Sequence, residues 1–335
     1  MLEALFEPYE VLGMKLRNRW VMAPMTRKQS PDNTPTSTVA EYYRRRAAGG
    51  VGLIVTEGSL VDHTLASPDD DIPRISDETV SAWKPIASAV HEEGACIFVQ
   101  LWHQGPIARP GISASPLIED GVEVAPMADA KQEQAMFDAF VVGAIGSRDA
   151  GFDGIEVHSA HGYLLDSFLR AGRTEYVADI VAEARNQVGP HFPIALRFSQ
   201  WTVHDLEAAQ FNSPEELEKV LRLLQDAGVD IFHASTRRFL LPEFAGSDLN
   251  LAGWTRKITG APMITVGNVG LSPELFCGSG PESHTELQRR YDAGEFDMVV
   301  IGRPLISDAQ WCHKVRDGLT DSIVDHSPEA NALYP

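Results

Sequence analysis

Cysteine and long apolar runs are scarce in this sequence. Its 335 residues include three cysteines, Cys96, Cys277 and Cys312, and no CxxC pair, so the spacing predicts neither a disulfide framework nor a zinc knuckle. No apolar stretch approaches the ~18 residues of a membrane-spanning helix. The first residues, MLEALFEPYEVL, lack the basic segment of a signal peptide. We therefore expect a protein of the reducing cytoplasm that makes no membrane contact.

Basic charge is scarce as well. The chain has 28 Lys and Arg against 47 Asp and Glu, a formal net charge of −19. Such a field repels duplex nucleic acid and anionic membrane surfaces, so neither is expected as a partner. With 44% hydrophobic residues the chain has ample material for a core. A small ligand bound in a local basic pocket remains compatible with this composition.

Nucleotide-binding fingerprints are absent too, since neither GxGxxG nor GxxxxGK occurs. What the chain contains is a regular alternation of apolar strands with helical stretches. We predict strands at 20–23, 52–56, 96–101, 154–157, 193–198, 231–234, 263–266 and 298–301. We predict helices near 38–48, 79–93, 130–150, 177–188, 214–227, 250–259, 284–293 and 309–317. Eight of each predicts an α/β fold, a (β/α)8 TIM barrel formed by one domain over 1–335, with a doubly wound open sheet as the alternative. Residues 5–19 predict a short N-terminal β-hairpin, turning at Gly13, at the barrel floor.

Polar residues follow most of the predicted strands, at the end where barrel enzymes hold their active sites. His158 and His161 follow strand 4 and have three interpretations: structural histidines, metal ligands together with His103 or His233, or paired donors to a carbonyl or phenolate oxygen. Tyr163 has a phenol that is neutral at pH 7 and suits a proton donor; a packed tyrosine with a satisfied hydroxyl is the alternative.

Arg197 lies within the apolar strand PIALRF and needs a strongly accepting partner. Either Glu57 or an electron-rich cofactor ring would serve. After strands 7 and 8, Gly267, Gly270 and Gly302 allow close backbone approach, and Arg303 adds a bidentate donor. These residues predict a phosphate site, with ordinary turn glycines and a solvated arginine as the alternative.

Seven segments together carry a family resemblance: RNRWVMAPMTR (17–27), LIVTEGSLVD (53–62), QLWHQG (100–105), GFDGIEVHSAHGYLLDSFL (151–169), LRFSQW (196–201), VGNVG (266–270) and FDMVVIGRPLISD (296–308). In this order, over nearly the whole chain, they resemble the Old Yellow Enzyme family of FMN-dependent NAD(P)H oxidoreductases. The block HxxHGYLLDxFL is the most specific of them. The fold of that family is the barrel predicted above.

The resemblance implies FMN as cofactor and NAD(P)H as reductant. It implies a reaction in which hydride passes from NAD(P)H to FMN and then to the β-carbon of an α,β-unsaturated carbonyl compound. Its implied cofactor-binding residues are Pro24, Met25, Thr26, Gly58, Gln100, Arg197, Gly267, Asn268, Gly302 and Arg303. It implies that His158 and His161 bind the substrate oxygen, that Tyr163 donates a proton, and that Trp102 lines the substrate pocket.

Two alternatives stay open: a metal-dependent hydrolase or lyase barrel that uses the rim histidines, and a non-catalytic flavin-binding barrel. A homo-oligomer is also left open. We expect no resident metal.

Two segments are shorter than the family pattern, and a third, the exit from strand 6, carries a separate hypothesis. FLRAG (168–172) runs directly into RTEYVADIV (173–181), where the family typically carries a further loop of the form TNxRxDxYGGS, and the region 105–125 is short as well. A direct join after 172 is expected to strain the crossover from strand 4, which favours missing mobile residues over a natural loss. In the exit from strand 6, we hypothesise that Arg237, Arg238 and Phe239 line an outer pocket and influence substrate or nicotinamide binding. A solvated loop is the alternative there.

Overall fold

The computed structural model describes residues 2–270 and 281–331, without the side chains of 281–283, so Cys277 lies outside the described residues. Its strands are β1 (Tyr9–Val11), β2 (Met14–Leu16), β3 (Trp20–Met22), β4 (Leu53–Val61), β5 (Arg74–Ile75), β6 (Cys96–Trp102), β7 (Leu117–Glu119), β8 (Val122–Ala125), β9 (Gly154–His161), β10 (Ile194–Thr202), β11 (Ile231–Ser235), β12 (Met263–Val266) and β13 (Met298–Ile301). Eight of them form a parallel sheet in the order β3-β13-β12-β11-β10-β9-β6-β4, and β3 also pairs with β4. The sheet is therefore closed, which confirms the (β/α)8 barrel.

Helices lie between the strands and cover the outside of the barrel. They are α1 (Ser37–Ala48), α2 (Val80–Glu92), α3 (Ala130–Asp149), α4 (Leu164–Arg170), α5 (Thr174–Val188), α6 (Pro214–Ala227), α7 (Leu251–Thr259), α8 (Pro281–Asp292), α9 (Pro304–Ser307) and α10 (Trp311–Arg316). The start of α6 shows the local cause: the Ser213 hydroxyl accepts the backbone N–H of Glu216, and Pro214 takes the first helical position. Between residues 2 and 331, leaving out 271–280, no helix combines the length and apolar composition that crossing a bilayer requires.

The lower half of the barrel interior is apolar, and the hairpin closes it. Strands β1 and β2 are antiparallel, and their turn residues Leu12 and Gly13 both have positive φ, 53° and 79°. The hairpin joins a buried cluster with inward side chains of seven barrel strands: Val11, Met14, Leu16, Val21, Leu53, Phe98, Ala195, Ile231, Ile264 and Met298. The floor position predicted for the hairpin is thereby confirmed. The polar side chains of the barrel interior therefore lie at the opposite end, where the strands have their carboxyl ends.

Three barrel strands run further than their apolar segments. β4, β9 and β10 continue to Val61, His161 and Thr202, so the predicted position of His158 and His161 just past strand 4 is wrong. Pairing with β10 extends β9, because Arg197 stands opposite His158 and Thr202 opposite His161. The ends of these strands are set by pairing with a neighbour, which hydrophobicity alone does not report.

The join between α4 and α5 is relaxed, which corrects the expected strain. The N–H of Gly172 donates to the carbonyl of Leu169 (3.1 Å), and that of Arg173 to the carbonyl of Phe168 (2.9 Å). With Gly172 at φ 72°, this is a Schellman motif that satisfies the last carbonyls of α4. The Arg173 guanidinium then pairs with Glu133 of α3 at 2.7 Å. Three residues are therefore enough to connect the helices.

Candidate functional site

A cavity of about 520 Å³ opens at the carboxyl ends of the barrel strands. Seven of the ten residues predicted for a cofactor line it: Pro24, Met25, Arg197, Gly267, Asn268, Gly302 and Arg303. His161 lines it too. Residues far apart in the sequence thus meet at the carboxyl ends of the barrel strands, where active sites of this fold lie.

Thr26, Gly58 and Gln100 lie outside this lining. Thr26 is exposed on the segment after β3. At Gly58 an added Cβ would come 2.5 Å from the Trp102 ring, so the glycine lets this indole pack against β4. Gln100 is buried, and its Nε2 donates to Glu156 Oε1 at 2.8 Å. Gly58 and Gln100 therefore have structural partners inside the barrel that the sequence did not indicate.

The corner formed after β12 and β13 is built largely from backbone. Gly267 has φ 150°, and a Cβ there would lie 2.6 Å from both the Phe239 nitrogen and the Thr236 hydroxyl. Asn268 follows at φ 57°, and its Oδ1 accepts a hydrogen bond from Arg303 Nη2 at 3.2 Å. A Cβ added at Gly302 would meet Ala23 and Met25 only at ordinary van der Waals distances, 3.6 and 3.7 Å. A ligand can therefore approach the main chain closely at this corner, beside a guanidinium.

Arg197 is buried and lines the cavity. Its Nη2 donates to the Ser235 hydroxyl at 3.1 Å, whereas its Nε, within the described residues, has no hydrogen-bond partner. The suggested pair with Glu57 is wrong, because Glu57 Oε2 accepts the backbone N–H groups of Arg27 (2.8 Å) and Lys28 (3.3 Å). An acceptor on a ligand would satisfy the remaining donor of Arg197.

A second buried carboxylate, Glu156, lies next to Arg197. Its Oε2 is 2.6 Å from His233 Nδ1, and its Oε1 accepts from Gln100. Burial by itself would raise the pKa of Glu156, but His233, Arg197 and Gln100 outweigh it and hold the pKa below its usual value. Glu156 is therefore a carboxylate at neutral pH and balances the charge of Arg197.

The rim histidines do not converge on a metal site. His233 is bound to Glu156, and His103 Nε2 lies 3.0 Å from His63 Nδ1 on a different part of the rim. In residues 2–270 and 281–331, no three His, Cys, Asp or Glu side chains are grouped so that they could hold a metal ion. Cys96 and Cys312 are free thiols.

His158, Tyr163 and Trp102 form an aromatic cluster beside the cavity. The ring centroids are 5.1 Å apart for His158 and Tyr163, and 5.0 Å for Trp102 and Tyr163. His161 joins them, 5.1 Å from His158, because its φ of 66° breaks the alternation of β9 and turns both rings to one side. All three predicted catalytic residues and Trp102 are thus brought together.

These side chains are neutral at pH 7. Burial, with Arg197 nearby, lowers the pKa of His158 to about 3 and that of His161 well below its usual value. Burial raises the pKa of Tyr163, which keeps its phenol protonated. Neutral imidazoles and a phenol each carry one N–H or O–H that can be donated to a ligand.

Ser235 and Trp201 were not predicted as site residues. His161 Nε2 lies 2.7 Å from the Ser235 hydroxyl, and the His161 ring stacks on Trp201 with centroids 4.2 Å apart. One signal was available for Ser235: it stands two residues after His233, so both face the same side of β11. For Trp201 the resemblance gave only its segment.

A second cavity, of about 590 Å³, adjoins the first at the exit of β11. Arg237 and Arg238 line both cavities, as hypothesised. Phe239 does not: it is 2% exposed and packs in the hydrophobic core, so its predicted place in the pocket is wrong. Arg237 lies 3.6 Å from Glu207, and both side chains are exposed.

Comparison with solved structures shows the same architecture elsewhere. Morphinone reductase, in a complex with tetrahydroNAD, superposes with a TM-score of 0.80 at 22% identity, covering 99% of this chain and 97% of that one. Old Yellow Enzyme from Pichia sp. AKU4542 gives a TM-score of 0.80 at 22% identity, covering 98% of this chain and 90% of that one. At these identities the likeness establishes the fold.

Sequence comparison adds the family. An NADH oxidase of Thermoanaerobacter brockii is 29% identical over 351 aligned residues, 95% of this chain and 52% of the relative. A putative 12-oxophytodienoate reductase 11 of Oryza sativa subsp. japonica is 32% identical over 246 residues, 64% of this chain and 66% of the relative. The chain thus spans about half to two thirds of the length of these relatives. Residues 4–322 match the model of one family, which confirms the resemblance to the Old Yellow Enzyme family: the chain belongs to the NADH:flavin oxidoreductase / NADH oxidase family.

Proposed function

We propose that this protein is an FMN-dependent reductase that uses NAD(P)H to reduce α,β-unsaturated carbonyl compounds. The observation that carries the proposal is the placement of three neutral donors, His158, His161 and Tyr163, beside a cavity that Arg197 borders. The family description and the reductase names of the relatives support it. The metal-dependent and non-catalytic alternatives have no comparable observation in their favour.

The residues present fit FMN. The partnerless Nε of buried Arg197 offers a donor to an electron-rich ring, and the backbone corner at Gly267 and Gly302 with Arg303 offers donors to a phosphate. Pro24, Met25 and Asn268 would complete the contacts, whereas Thr26, Gly58 and Gln100 stand farther from the cavity wall. Bound there, FMN would supply hydride transfer between NAD(P)H and the substrate.

His158 and His161 would bind the carbonyl oxygen of the substrate. Each neutral ring donates one hydrogen bond, and both bonds strengthen as negative charge develops on that oxygen. Because their pKa values are low, both imidazoles are uncharged at pH 7 and do not add positive charge beside Arg197. The two donors thereby favour the transition state over the bound substrate.

Tyr163 would donate a proton to the α-carbon. Its phenol stays protonated well above neutral pH because burial raises its pKa. Trp102, packed edge-on against Tyr163, would hold the phenol in place and border the substrate.

The test measures the two half-reactions separately. Purified protein should carry flavin absorbance and oxidise NADPH or NADH when 2-cyclohexenone is supplied. Tyr163→Phe should slow reduction of the enone at least tenfold while reduction of the flavin by NAD(P)H stays nearly unchanged. Equal loss in both half-reactions would remove the proton-donor role. A colourless protein that contains stoichiometric zinc would overturn the proposed function itself.

A further inference from the structure

We infer that Ser235 is a positioning residue that fixes which ring nitrogen of His161 carries the proton and couples that choice to Arg197. The inference rests on the proposed function only for its consequence in catalysis. The proton position itself follows from the hydrogen-bond geometry of three side chains.

The Ser235 hydroxyl lies between an obligatory donor and a ring nitrogen. It is buried at the end of β11, 3.1 Å from Arg197 Nη2 and 2.7 Å from His161 Nε2. A guanidinium donates and never accepts, so the Ser235 oxygen accepts from Arg197. Its own O–H is then left to donate to His161 Nε2. In this arrangement Nε2 is an acceptor and the proton of neutral His161 sits on Nδ1.

The opposite sense would waste a buried donor. If His161 Nε2–H donated to Ser235, the hydroxyl hydrogen would need a third partner. Within the part of the chain that the structure describes, Arg197 and His161 are the hydrogen-bond partners of this hydroxyl. A buried O–H without an acceptor carries a desolvation penalty, so the chain Arg197 to Ser235 to His161 is favoured.

The ring of His161 is held against turning over, which would exchange its two nitrogens. It stacks on Trp201, whose Nε1 donates to the Ser235 carbonyl at 3.0 Å. Its backbone N–H donates to the Ser199 hydroxyl at 2.9 Å. The same group of residues therefore fixes the backbone, the plane and the proton of His161.

His158 has the opposite proton position. The backbone N–H of Ala160 donates to His158 Nδ1 at 3.3 Å, so Nδ1 accepts and the proton sits on Nε2. The two histidines then offer one N–H each, Nδ1–H from His161 and Nε2–H from His158. Without Ser235, His161 is free to move its proton to Nε2, and the pair loses one donor.

The experiment records the protonation of His161 by ¹⁵N NMR on the histidine-labelled holoenzyme at pH 7, with His161→Gln to assign the signal. The wild type should show a protonated Nδ1 and an unprotonated Nε2. Ser235→Ala should shift the signal toward Nε2–H, and Ser235→Thr, which keeps a hydroxyl, should retain the wild-type pattern. The matched control is Ser159→Ala, because this buried hydroxyl has no hydrogen-bond partner among the described residues and its loss should leave the signal unchanged.

Binding of 4-chlorophenol supplies a second readout. Ser235→Ala should raise the Kd for 4-chlorophenol about tenfold, the loss expected for one hydrogen bond. In Ser159→Ala the Kd should stay within about twofold of the wild-type value. A wild-type His161 protonated on Nε2 would overturn the inference without any variant, and so would an unchanged signal in Ser235→Ala. Wild-type protein without flavin or without NAD(P)H oxidation would instead overturn the proposed function, because the NMR result does not depend on turnover.

Discussion

Two buried glutamates in the same barrel carry opposite pKa shifts. Glu156 on β9 is bound by His233 and Gln100 from neighbouring strands, and with Arg197 nearby its pKa stays below the usual value despite burial. Glu57 on β4 is bound through one oxygen to the backbone of Arg27 and Lys28, and its Oε1 has no partner in the described residues. Burial therefore prevails and raises the pKa of Glu57 to about 7.

The difference lies in what each carboxylate faces. Side-chain donors and a guanidinium make Glu156 a fixed negative charge under the cavity, whereas two backbone amides leave Glu57 near the balance between acid and carboxylate at neutral pH. Glu57 holds the backbone just after Pro24 and Met25, which line the cavity. Glu156 thus sets the charge beneath the cavity, and Glu57 fixes the backbone that follows Pro24 and Met25.

The largest effect is expected from breaking the charged region. Glu156→Gln leaves the buried charge of Arg197 without its counter-charge, so the free energy of unfolding at pH 7 should fall by ~3–5 kcal/mol. Urea denaturation measures it. Exposed Glu78→Gln is the control and should change stability by less than ~0.5 kcal/mol. A loss below about 1 kcal/mol for Glu156→Gln would mean that Arg197 is balanced by another group.

Glu57→Gln should change how the stability of the protein depends on pH. Because the folded pKa of Glu57 is raised from 4.5 to about 7, the folded state binds more protons, and wild-type stability falls between about pH 4.5 and 7. Over that window the wild type should lose up to about 3 kcal/mol relative to Glu57→Gln. Urea unfolding of both proteins at several pH values tests this. Parallel pH profiles would show that Glu57 has an ordinary pKa.

The neighbour of Glu57 gives a smaller, steric effect. Gly58→Ala places a methyl group 2.5 Å from the rigid Trp102 ring and should cost ~1–3 kcal/mol of stability. Gly302→Ala is the matched comparison, because its nearest contacts are 3.6 and 3.7 Å. It should leave the stability of the apoprotein nearly unchanged while weakening FMN binding. Equal stability of the two variants would show that Trp102 can move aside.

The smallest effect on stability is expected where charges are exposed. Arg237→Ala breaks only a 3.6 Å contact between solvated side chains, so the free energy of unfolding should change by less than ~0.5 kcal/mol. Arg237 and Arg238 line both cavities, and their alanine variants should raise KM for NADPH or for the enone several-fold. Unchanged steady-state constants for NADPH, NADH and the enone would remove their role in binding.

The barrel could be predicted because apolar strand segments and turn signals are local properties of the chain. The rim donors followed from the resemblance, since HxxHGYLLDxFL carries His158, His161 and Tyr163 together. The strand ends, the partner of Arg197 and the role of Ser235 could not be predicted, because they depend on the register of β9, β10 and β11. Phe239 was misplaced for a related reason: it follows two exposed arginines in the sequence but turns inward to the core.

The three-residue turn between α4 and α5 has a consequence for how this barrel can be altered. Gly172 is exposed, and an added Cβ there would meet no atom within 4 Å. Residues inserted after it would extend into solvent, at the cost of the Schellman hydrogen bonds and of loop-closure entropy, which grows by about 0.6 kcal/mol per doubling of loop length. We therefore expect this turn to accept inserted residues while the barrel core keeps its packing.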